Sequence, residues 1–174
     1  MCRRLSAIAN DSGSAAIEFA LILPLMISLF IGIFEVTRVV GADMRLTAAT
    51  QSIADLMAQQ VNVSVADSTN FCNGAKMTMY PLSGTSLKAA VASVTKGASS
   101  TTVDWNDTSC GGATAIASAA TLAPTLTPNV SDSVIIVQTS YSYTSPVSYV
   151  LAASYTLTAT AYARPRNVAT VDHD

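Results

Sequence analysis

A long apolar run follows a short polar segment at the start of the chain. From Ser14 to Phe34, roughly 21 residues carry a single charge, that of Glu18. A helix of this length, at ~1.5 Å rise per residue, spans the ~30 Å hydrocarbon core of a membrane. Lipid offers the backbone no hydrogen-bond partners, so a lone segment of this kind must be helical. The pattern predicts a membrane-spanning helix with a mild kink at Pro24.

Basic residues before the run predict its orientation. Arg3 and Arg4 precede the apolar residues, and positive charges favour the cytoplasmic side of a membrane. We therefore expect a cytoplasmic N-terminus, with residues 39–174 on the outer side.

The helical pattern continues beyond the span. Apolar residues recur there with spacings of 3, 4, 3, 4 and 3, which is typical of one helical face: Val39, Ala42, Leu46, Ala49, Ile53 and Leu56. We predict one helix from Ser14 to about Gln60, on the order of 70 Å long. Its apolar seam packs either on its own domain, the commoner arrangement, or in a coiled coil between subunits.

The rest of the chain predicts a small domain of mixed structure. Residues 61–81 lack a sustained period and are expected to be irregular, with one short strand near residues 77–80. A helix is predicted from Thr85 or Ser86 to Gly97 and is expected to lie on the sheet. Residues 101–105 indicate a strand followed by a turn at Asn106 and Asp107. Residues 113–130 suggest a loop with at most one or two helical turns.

Two segments near the end give the clearest strand pattern. Residues 133–144 are rich in β-branched and aromatic side chains, and residues 154–164 alternate apolar with polar positions. We expect these strands to pair in an antiparallel sheet and the tail after Pro165 to be loose. The predicted fold class is α+β, divided into a leader (1–13), a span (14–38), a helical extension (39–60) and an exported domain (61–174).

Composition narrows the possible partners and the redox compartment. Only 11% of the residues are charged and the formal net charge is −2, so no basic patch exists to bind nucleic acid. Cys72 and Cys110 both fall in the exported part, where an oxidising environment favours a disulfide between them. The alternative is two buried free thiols. Cys2 lies in the leader.

The inventory of reactive groups is too thin for an enzyme. The only histidine, His173, is the penultimate residue, which argues against Ser-His or Cys-His catalysis. Zinc requires more Cys and His than the outer part provides. Asp104 and Asp107 are interpreted as solvated turn residues. We predict no catalytic residues, no cofactor and no metal site.

Glu18 is the anomaly of the span, because a carboxylate in lipid costs several kcal/mol unless it is neutralised. If the chain is cut after Gly13, the new α-amine at Ser14 lies four residues from Glu18 on the same helix face. The two charges then neutralise each other, within one helix or between neighbouring subunits.

These residues resemble a known family. Gly13 followed by SAAIEF, with Glu at the fifth position, then ALILPL and FEVTR, is similar to the TadE-like minor pseudopilins of the bacterial tight-adherence (Flp) pilus. The resemblance implies a pilin-like fold with the long N-terminal helix as its spine, and cleavage between Gly13 and Ser14 by a prepilin peptidase. It also implies that Glu18 and Phe19 are the family's Glu-aromatic pair, with a role in assembly and recognition.

The end of the span follows the family pattern with one departure. The usual acidic-x-Gly-Arg sequence appears here as Glu35, Val36, Thr37 and Arg38, so that Thr37 replaces the glycine. The YSYTSPV segment and the closing ARPR also resemble the family. The partners implied are a prepilin peptidase, other pilins or pseudopilins bound through the helix, the inner-membrane assembly platform and membrane lipid.

Two functions compete on this evidence. The first is a non-enzymatic component of a tight-adherence pilus, active in its biogenesis and in adhesion. The second is a single-pass, membrane-anchored binding or adhesin domain whose span is only a tether. An ordinary anchor with an interfacial Glu18, or a signal peptide cut near residues 40–42, would also explain the apolar run.

Overall fold

A computed structural model describes residues 11–127, 129–149 and 151–174. Most of the predicted leader therefore lies outside the described residues. The chain forms helices α1 (Asp11–Ala58), α2 (Val65–Thr78) and α3 (Ala119–Leu122) and strands β1 (Asn62–Val63), β2 (Leu87–Lys96), β3 (Thr101–Cys110), β4 (Ser133–Thr144), β5 (Ser154–Ala163) and β6 (Asp172–His173). Short 3-10 helices cover Gly84–Ser86 and Ala123–Thr125.

One continuous helix, α1, begins the structure. It contains 48 residues, includes Pro24, and at 1.5 Å per residue is on the order of 70 Å long. Its second half packs on the sheet, where Ala42, Leu46 and Ile53 are buried in the core. The long helix is thus confirmed, and its seam faces its own domain.

Four antiparallel strands form the main sheet in the order β3-β2-β4-β5. The predicted pairing of the last two strands is confirmed, since β4 and β5 align without interruption from Ile135 opposite Ala163 to Thr144 opposite Ser154. One sheet face covers α1, and the other packs against α3 and its flanking residues. The fold is α+β, as predicted.

The prediction of a helix starting at Thr85 or Ser86 is wrong, because residues 87–96 form the central strand β2. Ala89 and Val91 pack towards α1, whereas Ala90, Ala92 and Val94 pack on the opposite side. A strand buried on both faces is apolar at most positions, and helical spacings can be selected from such a run. Gly97 lies in the turn to β3 and does not cap a helix; its N–H donates to the Ser100 carbonyl.

The irregular structure expected for residues 61–81 is also wrong. Helix α2 occupies most of this segment, and the short strand expected near residue 77 is absent from it. Ser64 caps the helix through a capping box with Asp67, in which each side chain bonds the other residue's backbone N–H. Only Ser68, Cys72 and Ala75 of α2 are buried, so the helix has too narrow an apolar face to show a period.

The prediction of a turn at Asn106 and Asp107 is wrong, since β3 continues to Cys110. Two register irregularities in the β2–β3 pairing accommodate this length. In the following segment, α3 and one 3-10 turn confirm the expected loop with little helix.

The C-terminal tail is held against the domain, contrary to expectation. Strand β6 pairs in parallel with β1, and the indole N–H of Trp105 donates to the Val171 carbonyl at 2.7 Å. Arg166 forms an ion pair with Asp55 of α1 at 3.0 Å. The tail shows no strand pattern in the sequence because β6 is only two residues long, too short for an alternation to appear.

His173 consequently lies inside the domain rather than on a mobile tail. Its Nε2 is 3.4 Å from a carboxylate oxygen of Asp107, and its ring is 4.9 Å from that of Trp105. Burial raises the pKa of the Asp107 carboxyl, but Ser68, Ser109 and His173 together outweigh burial and hold this pKa below its ordinary value. Asp107 is therefore a buried structural anion and not a solvated turn residue.

A disulfide joins α2 to the end of β3. Cys72 and Cys110 are bonded, with a Cα–Cα distance of 5.5 Å, which confirms the predicted pair. The bridge lies in the core between α1 and the sheet, so it ties α2 to the edge strand β3.

Replacing both bridge cysteines, C72A/C110A, should lower the free energy of unfolding of the domain by about 4 kcal/mol, the loop-closure value for roughly 39 residues. Denaturant titration of the full chain in detergent, followed by Trp105 fluorescence, measures the loss. C2A provides the control, because Cys2 belongs to the predicted leader. Equal midpoints for C72A/C110A and C2A would show that the bridge does not stabilise the domain.

Candidate membrane and assembly site

The first half of α1 is not covered by any other part of the chain that the structure describes. An 18-residue window of this helix has a mean hydropathy of 2.4 and is entirely unburied. Large apolar side chains point outward on every side, among them Ile17, Leu21, Leu25 and Phe30. A core helix buries such residues, so this surface requires a cover from outside the chain. It is a candidate membrane anchor.

The proposed processing site lies at the start of this helix. Gly13 and Ser14 are helical in the uncut chain, and the Ser14 hydroxyl donates to a carboxylate oxygen of Glu18 at 3.4 Å. Phe19 projects outward next to it. The structure thus brings the side chains of Ser14 and Glu18 together on one face, one helical turn apart.

Glu35, at the end of the span, has a different environment. It is only 1% exposed, and its two carboxylate oxygens accept hydrogen bonds from the backbone N–H groups of Tyr149, at 2.6 Å, and Leu151, at 2.8 Å. These donors belong to the connection between β4 and β5. Burying a carboxylate is costly unless such charge-assisted bonds replace its water. Glu35 therefore fixes the domain to the helix at this level.

Arg38 points away from this contact. Its guanidinium lies 5.7 Å from the centroid of the Phe34 ring, in cation–π range, and its side chain is exposed. The two residues predicted to end the span are therefore separated, with Glu35 facing the domain and Arg38 facing outward.

The role of Glu35 in packing was missed by sequence reasoning, although a signal exists. Glu35 precedes Val39 and Ala42 by four and seven residues, so it continues the apolar seam of α1 by one turn. A charged residue in register with a buried face indicates a polar partner in the domain. The partner itself, a pair of backbone N–H groups, leaves no pattern of side chains to find.

The described residues contain no cluster of three or more His, Cys, Asp or Glu side chains arranged for a metal ion. The His173–Asp107 pair is packed beneath the tail, where it links β6 to β3. These polar groups serve the packing of the domain.

A small α+β domain carried on a long, half-bare apolar helix is the class that this fold defines. Residues 13–55 match the family model described as TadE-like protein. No curated protein and no solved structure matches the chain. The match confirms the resemblance to the TadE-like proteins of the tight-adherence pilus system, a family of pilus components and not of enzymes. It covers the bare half of α1 and most of the packed half.

Replacing Glu35 by alanine should loosen the domain from the helix, because the N–H groups of Tyr149 and Leu151 lose their acceptor. We expect E35A to lower the free energy of unfolding by about 2–4 kcal/mol, with E35Q, which keeps one oxygen acceptor, showing a smaller loss. Denaturant titration in detergent measures both.

R38A is the matched control, since Arg38 is charged, exposed and three residues away on the same helix. A loss in R38A equal to that in E35A would contradict the assigned role of the buried carboxylate.

Proposed function

We propose that the protein is a minor pseudopilin of a tight-adherence pilus, cleaved after Gly13 by a prepilin peptidase and active in pilus biogenesis and adhesion. The observation that carries the proposal is the TadE-like match over residues 13–55, which coincides with an apolar helix that lacks cover. The proposed topology places the N-terminus in the cytoplasm and the domain outside the inner membrane of a bacterium.

The bare helix supplies the proposed contacts with other subunits. Before assembly, lipid covers its apolar side chains; on assembly, the helices of other pilins or pseudopilins replace that lipid, with the assembly platform as a further partner. Apolar surface by itself gives little preference for protein over lipid, so the association needs polar contacts or close packing. Glu18 is the polar group in this segment.

Glu18 is proposed to act through the amine that cleavage creates. Ser14 and Glu18 already lie within hydrogen-bonding distance of each other in the uncut chain. A charged amine at Ser14 attracts the carboxylate far more strongly than a hydroxyl does in a medium of low dielectric constant. If the amine of one subunit meets the carboxylate of the next, the pair also sets the axial register between helices.

Cleavage after Gly13 leads to a defined mature chain. N-terminal sequencing of the protein purified from the membrane should find Ser14 as the first residue. Met1 as the first residue would contradict processing, and Asp43 would indicate removal of the whole span as a signal peptide.

Glu18→Ala should reduce assembly, because the Ser14 amine loses its proposed partner. Membrane insertion should not be impaired, because removing a charge lowers the cost of burial in lipid. Pilus yield and membrane fractionation measure the two effects separately. S28A is the matched control, since the Ser28 hydroxyl bonds only the Leu25 carbonyl of its own helix among the contacts described. Normal pilus yield in E18A would contradict the proposed role of Glu18. It would favour the competing function, a binding domain for which the span is only a tether.

A further inference from the structure

A short surface segment of the domain lies beside the end of the apolar span. Residues 145–149 follow β4 directly, and Ser145 fixes the start of the segment. Ser145 is buried, and its N–H donates to the Ala153 carbonyl at 3.0 Å. Its hydroxyl accepts a hydrogen bond from the Ser148 N–H at 3.2 Å. The Tyr149 N–H is bonded to Glu35 of α1. The segment is therefore held at the level of one helix residue.

That level corresponds to the edge of a bilayer. The apolar run centres on Pro24, and Glu35 lies 11 residues further on, or ~16 Å along the axis at ~1.5 Å per residue. Half the thickness of a hydrocarbon core is ~15 Å. With the run centred in the membrane, Glu35 and the segment bonded to it lie at the boundary between acyl chains and headgroups.

The side chains of the segment suit this boundary. Tyr149 is 67% exposed and Val147 is 44% exposed, and Pro146 is exposed beside them. From residue 133 to residue 163 the chain has no Asp, Glu, Lys, Arg or His, so no charge opposes contact with lipid. Tyrosine is enriched at membrane interfaces because its ring is apolar and its hydroxyl is polar.

We propose that residues 145–149 form a second membrane contact, in which Val147 and Tyr149 enter the headgroup region of the bilayer on the domain's side. The inference rests on the proposed insertion of the α1 span. Helix and segment together give the domain two points of attachment, bridged by Glu35. The domain then keeps a fixed tilt to the membrane and cannot swing freely about the helix.

Tryptophan quenching tests the contact in the full chain, reconstituted into phosphatidylcholine vesicles with or without bromine on the acyl carbons near the headgroup. Y149W reports on the segment and F30W on the span. Y80W is the matched control, because Tyr80 is a similarly exposed tyrosine, at 78%. Its carbonyl bonds Arg45, which lies ten residues beyond Glu35 along α1. The signal of the single native tryptophan, Trp105, is measured in the unmodified chain.

We expect brominated vesicles to reduce the added fluorescence of F30W and Y149W and to leave that of Y80W unchanged. The Y149W change keeps the backbone N–H that bonds Glu35. Loss in F30W together with no loss in Y149W would overturn the segment's contact and leave the span intact. No loss of fluorescence in either variant would contradict both the insertion of the span and the membrane contact of the segment. A blue shift of Y149W that grows with protein-to-lipid ratio, without quenching, would assign the segment to a neighbouring subunit and overturn the proposal.

Discussion

The apolar surface of α1 is bare over the first half of the helix and covered by the domain over the second half, and this change organises the molecule. Over the first half, no side chain of the described domain buries the helix; over the second, the sheet buries one seam of it. The backbone runs through both halves as one helix. A helix is the only element able to do this, because its hydrogen bonds are internal and do not depend on what surrounds it.

Glu35 marks the boundary between the bare half and the covered half of α1. A carboxylate there is unfavourable in lipid and unfavourable in a dry core, yet two backbone N–H groups of the domain satisfy it. The bond is directional, so the domain sits at one height and one rotation about the helix. Apolar packing alone fixes such a position less sharply, since the hydrophobic effect has no preferred direction. A second link joins α1 to β4 further towards the C-terminal end of the helix, between the hydroxyls of Thr50 and Thr139 at 2.6 Å.

The parts of the fold that were predicted from sequence are those with a single buried face. The seam of α1 repeats with the helical period, and β5 alternates between core and surface, so each pattern identifies its own element. Strand β2 is buried on both sides and carries no alternation, which is why it was interpreted as a helix. Helix α2 was not predicted for the opposite reason. With three buried residues it shows almost no hydrophobic pattern, and only its capping box marks its start.

The candidate site divides in the same way. The span and Glu18 are visible in the sequence because one charge stands out in an apolar run. The placement of His173 and of residues 145–149 was not visible, because both depend on backbone groups brought from distant parts of the chain. Backbone donors and acceptors are the same at nearly every residue, so the sequence does not mark which of them a fold will use.

Glu18 and Glu35 show two solutions to the same physical problem. Each is an acidic residue at or near an end of one apolar helix, where an unpaired carboxylate is costly. Glu35 has its partners within the folded chain, and they are neutral dipoles held rigidly by the domain. Glu18 has the Ser14 hydroxyl nearby at 3.4 Å, a neutral group at the long end of hydrogen-bonding range. On the proposed cleavage, the backbone nitrogen of Ser14 becomes a free, positively charged amine close to this carboxylate. Compensation at Glu35 is then complete on folding, whereas compensation at Glu18 waits for processing, so that only mature chains carry a span whose charge is neutralised and ready to pack.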